Sequence, residues 1–195
     1  MKNRIITISR EFGSGGRTIG KQVADKLGIP CYDAELLAKI AEKSGFAKEY
    51  IAEQGEYTYH SNWLVNAFSS NRSLAGISSQ DYLWDVQRKV ILELAEKESC
   101  VIVGRCADYI LQDAADCLKV FIHADMDKRV ERIVKVYGET DIAPEKRLKD
   151  KDKRRKSYYR FYTETEWGIA KNYHISLDSG VIGIDKCADI IAGLY

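Results

Sequence analysis

The stretch that decides the fold is SREFGSGGRTIG, residues 9–20, which directly follows the apolar run RIITI, residues 4–8. The apolar run predicts a β-strand, and the apolar residues from Ile19 to Leu27 recur with the spacing of an amphipathic helix. A glycine-rich turn between a strand and a helix lets successive backbone N–H groups face one concavity, and the helix N-terminus adds positive potential. The stretch is therefore compatible with a phosphate-binding loop, and also with a tight turn that only opens a helix.

The pattern GxxxxGK[ST] describes phosphate loops, and residues 11–18 match it in part. Gly16, Arg17 and Thr18 fill its last three places, with arginine instead of lysine, and its first glycine falls on Glu11. Arginine can still pair bidentately with phosphate oxygens, and a threonine hydroxyl at this place can bind magnesium. From the loop alone, phosphate binding and a structural turn are about equally supported.

The composition limits the class of protein. The chain has 195 residues, a formal net charge of +1 and 30% charged residues. Such a balance argues against a general nucleic-acid or membrane-surface binder, and no apolar run reaches the roughly twenty residues of a transmembrane helix. The five cysteines are scattered without a CxxC pair, which predicts reduced thiols rather than zinc ligands or disulfides. We therefore expect a cytoplasmic protein that binds neither nucleic acid nor membrane.

Short β-branched runs alternate with helical patterns along the rest of the chain. Further strands are predicted at residues 29–32, 100–105, 117–124 and 173–179. Asp125 is expected to cap a helix that ends at Gly138, and residues 55–79 have no clean period and are interpreted as a helical insert or lid. Alternating strands and helices of this size predict a parallel sheet with helices on both faces.

The predicted strand ends carry polar or ionic groups. In an open parallel sheet, ligands bind beyond the carboxyl ends of the strands. The groups concerned are Ser9 with the glycine-rich turn, Tyr32 with Asp33, Gly104 with Arg105, and Asp178 with Ser179. Because parallel strands end at one edge, the sequence predicts a functional site there.

Several stretches together resemble one known family. They are the glycine-rich stretch, PCYDAELL (30–37), VIVGRCADYILQDAADCLKVFIHADMDKRVERI (101–133), DKDKRRKSYYR (150–160) and YHISLDSG (173–180). Their order and spacing resemble the cytidylate kinase-like family of P-loop kinases over nearly the whole chain. The resemblance implies an α/β, P-loop nucleoside-triphosphate-hydrolase-type three-layer fold with a parallel five-stranded sheet and a helical lid. It also implies a single domain over residues 1–195, with an acceptor-binding helical insert at about 34–80 and a lid at about 126–165.

The resemblance further implies ATP, Mg²⁺ and a role for each matching residue. The phosphates of ATP would be bound by Gly13, Ser14, Gly15, Gly16, Arg17 and Thr18, with Thr18 also at the metal. The catalytic cations would be Arg17, Arg129, Arg132 and Arg155, and the substrate would be bound by Asp33, Arg105 and Asp152. The implied reaction is phosphorylation of a nucleoside monophosphate, with CMP or dCMP first. Without ligand, the charged lid is predicted to be mobile or held open.

Departures from the family pattern leave other interpretations open. Cys106 stands where cytidylate kinases have the aspartate of Gly-Arg-Asp, besides the changes at Arg17 and Glu11. One alternative is a nucleotide-sensing module without turnover, and another is a kinase of a non-nucleotide small molecule. Lid arginines that face the loop would favour turnover over sensing. A nucleophilic Cys106 is a further alternative, since Arg105 could lower the pKa of its thiol.

Overall fold

The computed structural model describes residues 3–43 and 79–195. Its strands are β1 (Arg4–Arg10), β2 (Cys31–Tyr32), β3 (Cys100–Val103), β4 (Asp116–His123) and β5 (Ile175–Asp178). Its helices are α1 (Gly16–Leu27), α2 (Ala34–Lys43), α3 (Ser79–Lys97), α4 (Ala107–Ile110), α5 (Met126–Tyr137), α6 (Pro144–Thr163), α7 (Ser179–Ile182) and α8 (Ile184–Gly193), with a short 3₁₀ turn at Ala170–Asn172.

The strands form one parallel sheet in the order β2-β3-β1-β4-β5. All five predicted strands are present, and β2 is shorter than predicted. Pro30 has no N–H group to donate to a neighbouring strand, and the N–H of Ile29 bonds to Ala24 O at the end of α1 (3.1 Å). Only Cys31 and Tyr32 are therefore in register with residues of β3, although the carbonyl oxygen of Pro30 still accepts the N–H of Val101 (2.8 Å).

Helices cover both faces of the sheet, as the predicted three-layer α/β fold requires. On one face, Ile5 of β1 packs with Leu37 of α2 and Ile91 of α3. On the other face, Ile6 of β1 packs in a second cluster with Val23 of α1. Strands that are buried on both faces have nearly continuous apolar sequences, which is why the runs in β1 and β3 identified them.

The predicted lid segment consists of α5 and α6. Gly138 ends α5 at φ +74°, as predicted. Asp125 occupies the N-cap position of α5, but its side chain makes no capping hydrogen bond, so that part of the prediction is wrong. Its carbonyl oxygen begins the helix instead, by accepting the N–H of Arg129 (3.1 Å).

The predicted acceptor-binding insert is described only at its two ends, by α2 and the start of α3, and its remaining residues lie outside the described ranges. Within residues 3–43 and 79–195, no helix is long and apolar enough to cross a membrane. All five cysteines are free, and four of them are buried, in agreement with the predicted reduced thiols.

Candidate active site

The polar groups that follow the strands lie along the carboxyl edge of the sheet, because all of its strands run in the same direction. Residues 11–16, called here the glycine loop, connect β1 to α1. The first residue of α7, which directly follows β5, supports this loop, since Ser179 Oγ donates to Ser14 O (2.5 Å) and to His123 O (3.1 Å). The loop is thus held in place by the segment that follows the edge strand β5.

The backbone of the glycine loop requires glycine and leaves hydrogen-bond donors available. Gly13 and Gly15 have φ of +79° and +82°, and a Cβ at Gly13 would lie 2.9 Å from Ile133 Cγ2. No side chain of the described part of the chain caps α1. Among the described residues, the N–H groups of Gly16, Arg17 and Thr18 have no acceptor. The first turn of α1 therefore offers three N–H donors and the positive end of a twelve-residue helix to an anion.

Glu11 stands where phosphate loops have their first glycine, and its contacts show why a side chain fits there. Its carboxylate accepts the N–H of Ala124 (3.3 Å) and pairs with Arg129 (3.4 Å). Its carbonyl oxygen accepts the hydroxyl of Ser14 (2.9 Å). Glu11 thus anchors the glycine loop to the start of α5, away from the free N–H groups of α1.

Asp152 joins the lid helices to the glycine loop. Its Oδ2 accepts Arg129 Nη1 at 2.6 Å. Its Oδ1 accepts the N–H of Phe12 at 2.8 Å and Arg155 Nη1 at 3.3 Å. Asp152 and Arg129 are both buried. The lid predicted to be open or mobile therefore lies against the loop in this structure, because a buried carboxylate binds both elements.

Two further arginines of the predicted lid segment, Arg132 and Arg155, also face the loop. Arg132 Nη1 donates to Gly13 O (2.9 Å), and Arg155 Nη1 donates to Arg10 O (3.2 Å). The guanidinium of Arg155 also lies over the ring of Phe12, 5.5 Å from its centroid. Burial lowers the pKa of Arg155, and the carboxylate of Asp152 opposes that shift. Arg132 and Arg155 thus bring two cations to the edge of the glycine loop.

Arg17 connects the start of α1 to the end of β2. Its guanidinium pairs with Asp33 at 2.6 Å and with Glu35 at 3.5 Å, and its side chain is 52% exposed. Burial would raise the pKa of Asp33, but hydrogen bonds from backbone N–H groups and the charge of Arg17 bring it below its usual value. The residue in the lysine place of the pattern therefore lies beside the carboxylate predicted to bind the acceptor.

Arg105 follows β3 in an uncommon backbone conformation. Gly104, Arg105 and Cys106 have φ of +79°, +62° and +54°, a run of three left-handed residues of which two are not glycine. Gln87 Nε2 donates to Arg105 O (2.9 Å), and Arg105 is also hydrogen-bonded to Tyr158. Burial lowers the pKa of the Arg105 guanidinium. Strained residues that their surroundings hold in place cluster at functional sites.

The surroundings of Cys106 disfavour a role as a nucleophile. Its side chain is buried, and burial and the neighbouring Asp108 raise the pKa of its thiol strongly, despite the opposing charge of Arg105. The thiolate, which is the reactive form, is therefore disfavoured.

Asp108 is a buried site residue that the sequence analysis missed. It accepts the hydroxyl of Tyr159 (2.8 Å) and of Ser9 (3.5 Å), and burial raises its pKa. These bonds tie the segment after β3 to α6. The aromatic residues of α6 also serve packing, since Tyr162 stacks on Trp84 of α3 with ring centroids 4.4 Å apart.

The residues present fit only one kind of metal site. Among the described residues, no group of three or more His, Cys, Asp or Glu side chains could hold a metal ion. Thr18 is exposed, and its hydroxyl has no hydrogen-bond partner in the same part of the chain. Magnesium keeps several waters and is commonly bound through few protein groups together with substrate phosphates. An ion that arrives with phosphate oxygens and takes Thr18 as a ligand fits this arrangement.

A cavity of about 210 Å³ lies between α5 and α7. It is lined by Lys128, Glu131, Arg132, Lys135 and Gly180. Because Arg132 also donates to Gly13 O, this cationic cavity borders the glycine loop.

A parallel five-stranded sheet with a glycine loop after β1 and helices on both faces is the three-layer fold of P-loop kinases. Shikimate kinase from Bacteroides thetaiotaomicron shares this fold with a TM-score of 0.53 and 17% sequence identity, over 98% of this chain and 97% of that chain. An uncharacterized protein from Eubacterium ventriosum is more similar, with a TM-score of 0.75 and 31% identity over 98% of both chains.

Sequence comparison gives the family. The model of the cytidylate kinase-like family matches residues 5–181. The cytidylate kinase of Archaeoglobus fulgidus is 32% identical over 192 residues, which cover 95% of this chain and 91% of that protein. The chain belongs to the cytidylate kinase-like family, as the sequence motifs predicted.

Proposed function

We propose that this protein is a nucleotide kinase that transfers the γ-phosphoryl group of ATP to a nucleoside monophosphate in the presence of Mg²⁺, with CMP or dCMP as the preferred acceptor. Membership of the family supports the kinase activity, and the relative from Archaeoglobus fulgidus supports the acceptor. The observation that carries the proposal is the glycine loop. At its end lie three N–H groups that have no acceptor within residues 3–43 and 79–195, and Arg132 and Arg155 lie at its edge.

The donor nucleotide is assigned to the glycine loop and the cavity beside it. Lys128, Arg132 and Lys135 give that cavity a positive charge that suits a polyphosphate. Residues 13–16 and the backbone N–H groups of Arg17 and Thr18 would bind the phosphates, and the hydroxyl of Thr18 would be a ligand of the magnesium ion. When bound, this ion would neutralise negative charge on the phosphate oxygens.

The acceptor is assigned to the crevice next to the ends of β2 and β3. Arg105 would bind its phosphate, and Asp33 would lie on the side of its nucleoside. Asp152 would act by holding Arg129 and Arg155 against the loop, since its two oxygens accept bonds from both arginines.

The proposed step exchanges one phosphorus–oxygen bond for another. An oxygen of the acceptor's phosphate forms a bond to the γ-phosphorus, and the bond from that phosphorus to the β–γ bridging oxygen breaks. ADP leaves with the electron pair, and a nucleoside diphosphate is formed. A dianionic acceptor phosphate has no proton to lose. Such a reaction needs in-line positioning and positive charge around the transferring group rather than covalent chemistry by the protein.

Two further observations bear on the alternatives. Lid arginines that contact the loop favour turnover over nucleotide sensing, because a sensor does not need cations at the transferring phosphoryl group. Cys106, which replaces an aspartate of cytidylate kinases, is buried. It cannot recognise cytidine as that aspartate does, so a kinase of a non-nucleotide small molecule is the second candidate.

The proposal is tested by measuring ADP release with CMP, dCMP, UMP, AMP, GMP and a set of small alcohols as acceptors. We expect turnover with CMP or dCMP. Arg105→Ala should lower kcat/KM for the acceptor by about 30- to 1000-fold, because it removes a bidentate contact worth about 2–4 kcal/mol in the transition state. Arg160→Ala, an exposed arginine of α6, is the control and should have little effect. ATP binding without turnover on any acceptor would indicate a sensor, and turnover with an alcohol alone would indicate the second candidate.

A further inference from the structure

Arg10 is the last residue of β1, and no sequence pattern singled it out. Its side chain passes along Gly16 at the start of α1, where a Cβ would lie 2.8 Å from Arg10 Cγ. It ends at Gly104 after β3, where a Cβ would overlap Arg10 Nη1. The guanidinium therefore fills the gap between the carboxyl ends of β1 and β3, and it can do so because both neighbours lack a side chain.

The surroundings of this guanidinium are strongly cationic. Burial, together with the charges of Arg155, Arg105 and Arg17, lowers the pKa of Arg10 to about 9, and the charge of Asp33 opposes this shift. Asp33 is itself paired with Arg17 at 2.6 Å. Within the described part of the chain, the Arg10 guanidinium has no hydrogen bond and no ion pair of its own. A half-buried cation among other cations is unfavourable unless an anion binds beside it.

Arg17, which stands in the lysine place of the phosphate-loop pattern, forms its ion pairs outside the glycine loop. In such loops the lysine reaches the β- and γ-phosphates. Here that place belongs to Arg17, which is half exposed and bound to two carboxylates, Asp33 and Glu35. Arg10, by contrast, lies against Gly16, the first residue of α1. The carbonyl oxygen of Arg10 also accepts a hydrogen bond from Arg155. The Cβ and Cγ of Arg10 lie at Gly16 and its guanidinium lies at Gly104, so the side chain extends from the start of α1 to the segment that follows β3, between the proposed donor and acceptor sides.

We infer that Arg10, rather than Arg17, is the catalytic cation that contacts the transferring phosphoryl group. This inference rests on the proposed function. Arg10 forms and breaks no covalent bond; it supplies positive charge and two parallel N–H donors to phosphoryl oxygens, which an arginine can do bidentately. Arg17 then belongs to the acceptor side, where it holds Asp33. The role of Gly104 is to leave room for the Arg10 guanidinium.

The test compares Arg10→Met with the matched variant Arg17→Met in three measurements. The first is urea unfolding without added anions, the second is the rise in melting temperature with inorganic tripolyphosphate, and the third is kcat and KM with the best acceptor. For Arg10→Met we expect unchanged or higher stability, loss of the tripolyphosphate effect, and a fall in kcat of about 100-fold or more with a similar KM for the acceptor. For Arg17→Met we expect a raised acceptor KM, a kcat within about tenfold of the wild type and a retained tripolyphosphate effect.

The stability measurement separates catalysis from structure, because a purely structural arginine would make Arg10→Met less stable. Arg10→Lys keeps the charge but loses the paired donors, so it should fold normally and lose at least about tenfold in kcat. If Arg10→Met fails to fold, or retains both kcat and the tripolyphosphate effect, the inference is wrong. If the wild type transfers phosphate to no acceptor, the proposed function fails, and the tripolyphosphate measurement still decides on Arg10. If tripolyphosphate raises the melting temperature of the wild type and of Arg17→Met but not of Arg10→Met, the inference is supported. If tripolyphosphate does not raise the melting temperature of the wild type, the inference is overturned.

Discussion

Asp152→Ala should detach the lid helices from the glycine loop. The carboxylate of Asp152 accepts Arg129 at 2.6 Å, the N–H of Phe12 at 2.8 Å and Arg155 at 3.3 Å. Removing it leaves the side chain of Arg129, which is 7% exposed, with Glu11 at 3.4 Å as its remaining carboxylate. It also leaves the N–H of Phe12 without its acceptor.

The size of the effect follows from the burial of the pair. Removing one partner of a buried ion pair costs about 3–5 kcal/mol, because the other charge stays desolvated. Since Glu11 still compensates part of the charge of Arg129, we expect a loss near the lower limit, about 3 kcal/mol in the free energy of unfolding. For a chain of this size such a loss lowers the melting temperature by roughly 6–12 °C.

The measurements are urea unfolding and amide hydrogen exchange. Besides the loss of stability, exchange should become faster in α6 and in residues 12–16. Asp150→Ala is the control, because Asp150 is an exposed carboxylate on the same helix. In the double variant Asp152→Ala/Arg129→Met, the combined loss should be smaller than the sum of the single losses by about 0.5–3 kcal/mol. A loss below about 1 kcal/mol for Asp152→Ala, with unchanged exchange in α6, would refute the reasoning.

The remaining predictions concern the loop, a buried carboxyl and the metal. Gly15→Val should abolish ATP binding in calorimetry and cost about 1–3 kcal/mol of stability, because valine at φ +82° is strained and its Cβ would meet Ile184. Because burial raises the pKa of Asp108 above its usual 3.8, its contribution to stability should decline as pH rises from about 4 through that raised pKa. Asp108→Asn should lack this decline when urea unfolding of both proteins is compared from pH 4 to 7. Removal of divalent metal with EDTA should abolish ATP turnover, which magnesium should restore, and leave the melting temperature without nucleotide unchanged.

The order of strands and helices could be predicted from the sequence because local patterns determine it. Apolar runs identified β1 and β3, and Gly138 identified the end of α5. The convergence of Asp33 and Arg105 on one edge followed from a rule of parallel sheets. These features depend on periodicity and chain direction alone, so one sequence is enough to predict them.

The pairing of charged side chains could not be predicted in the same way. Arg17 follows the glycine loop directly along the chain, and only the three-dimensional structure shows that its side chain pairs with Asp33. The path of Arg10 depends on free space at Gly104, which is 94 residues away along the chain. The contact of α6 with the loop depends on Asp152, whose sequence context is a run of solvated charges. Such contacts depend on packing between segments that are distant in the sequence, so no local sequence pattern predicts them.

The left-handed run at Gly104, Arg105 and Cys106 lowers the stability of the fold, and this cost bears on how residue 105 evolves. A non-glycine residue in this conformation costs about 1–3 kcal/mol, and two of them approach the lower end of the 5–15 kcal/mol that keeps a domain folded. Natural selection for thermal resistance alone would therefore favour glycine at residue 105, where the arginine is proposed to bind the acceptor's phosphate. Arginine can persist there only while the lineage is selected for what this side chain binds. Relatives that have lost the activity should be the ones in which glycine replaces it.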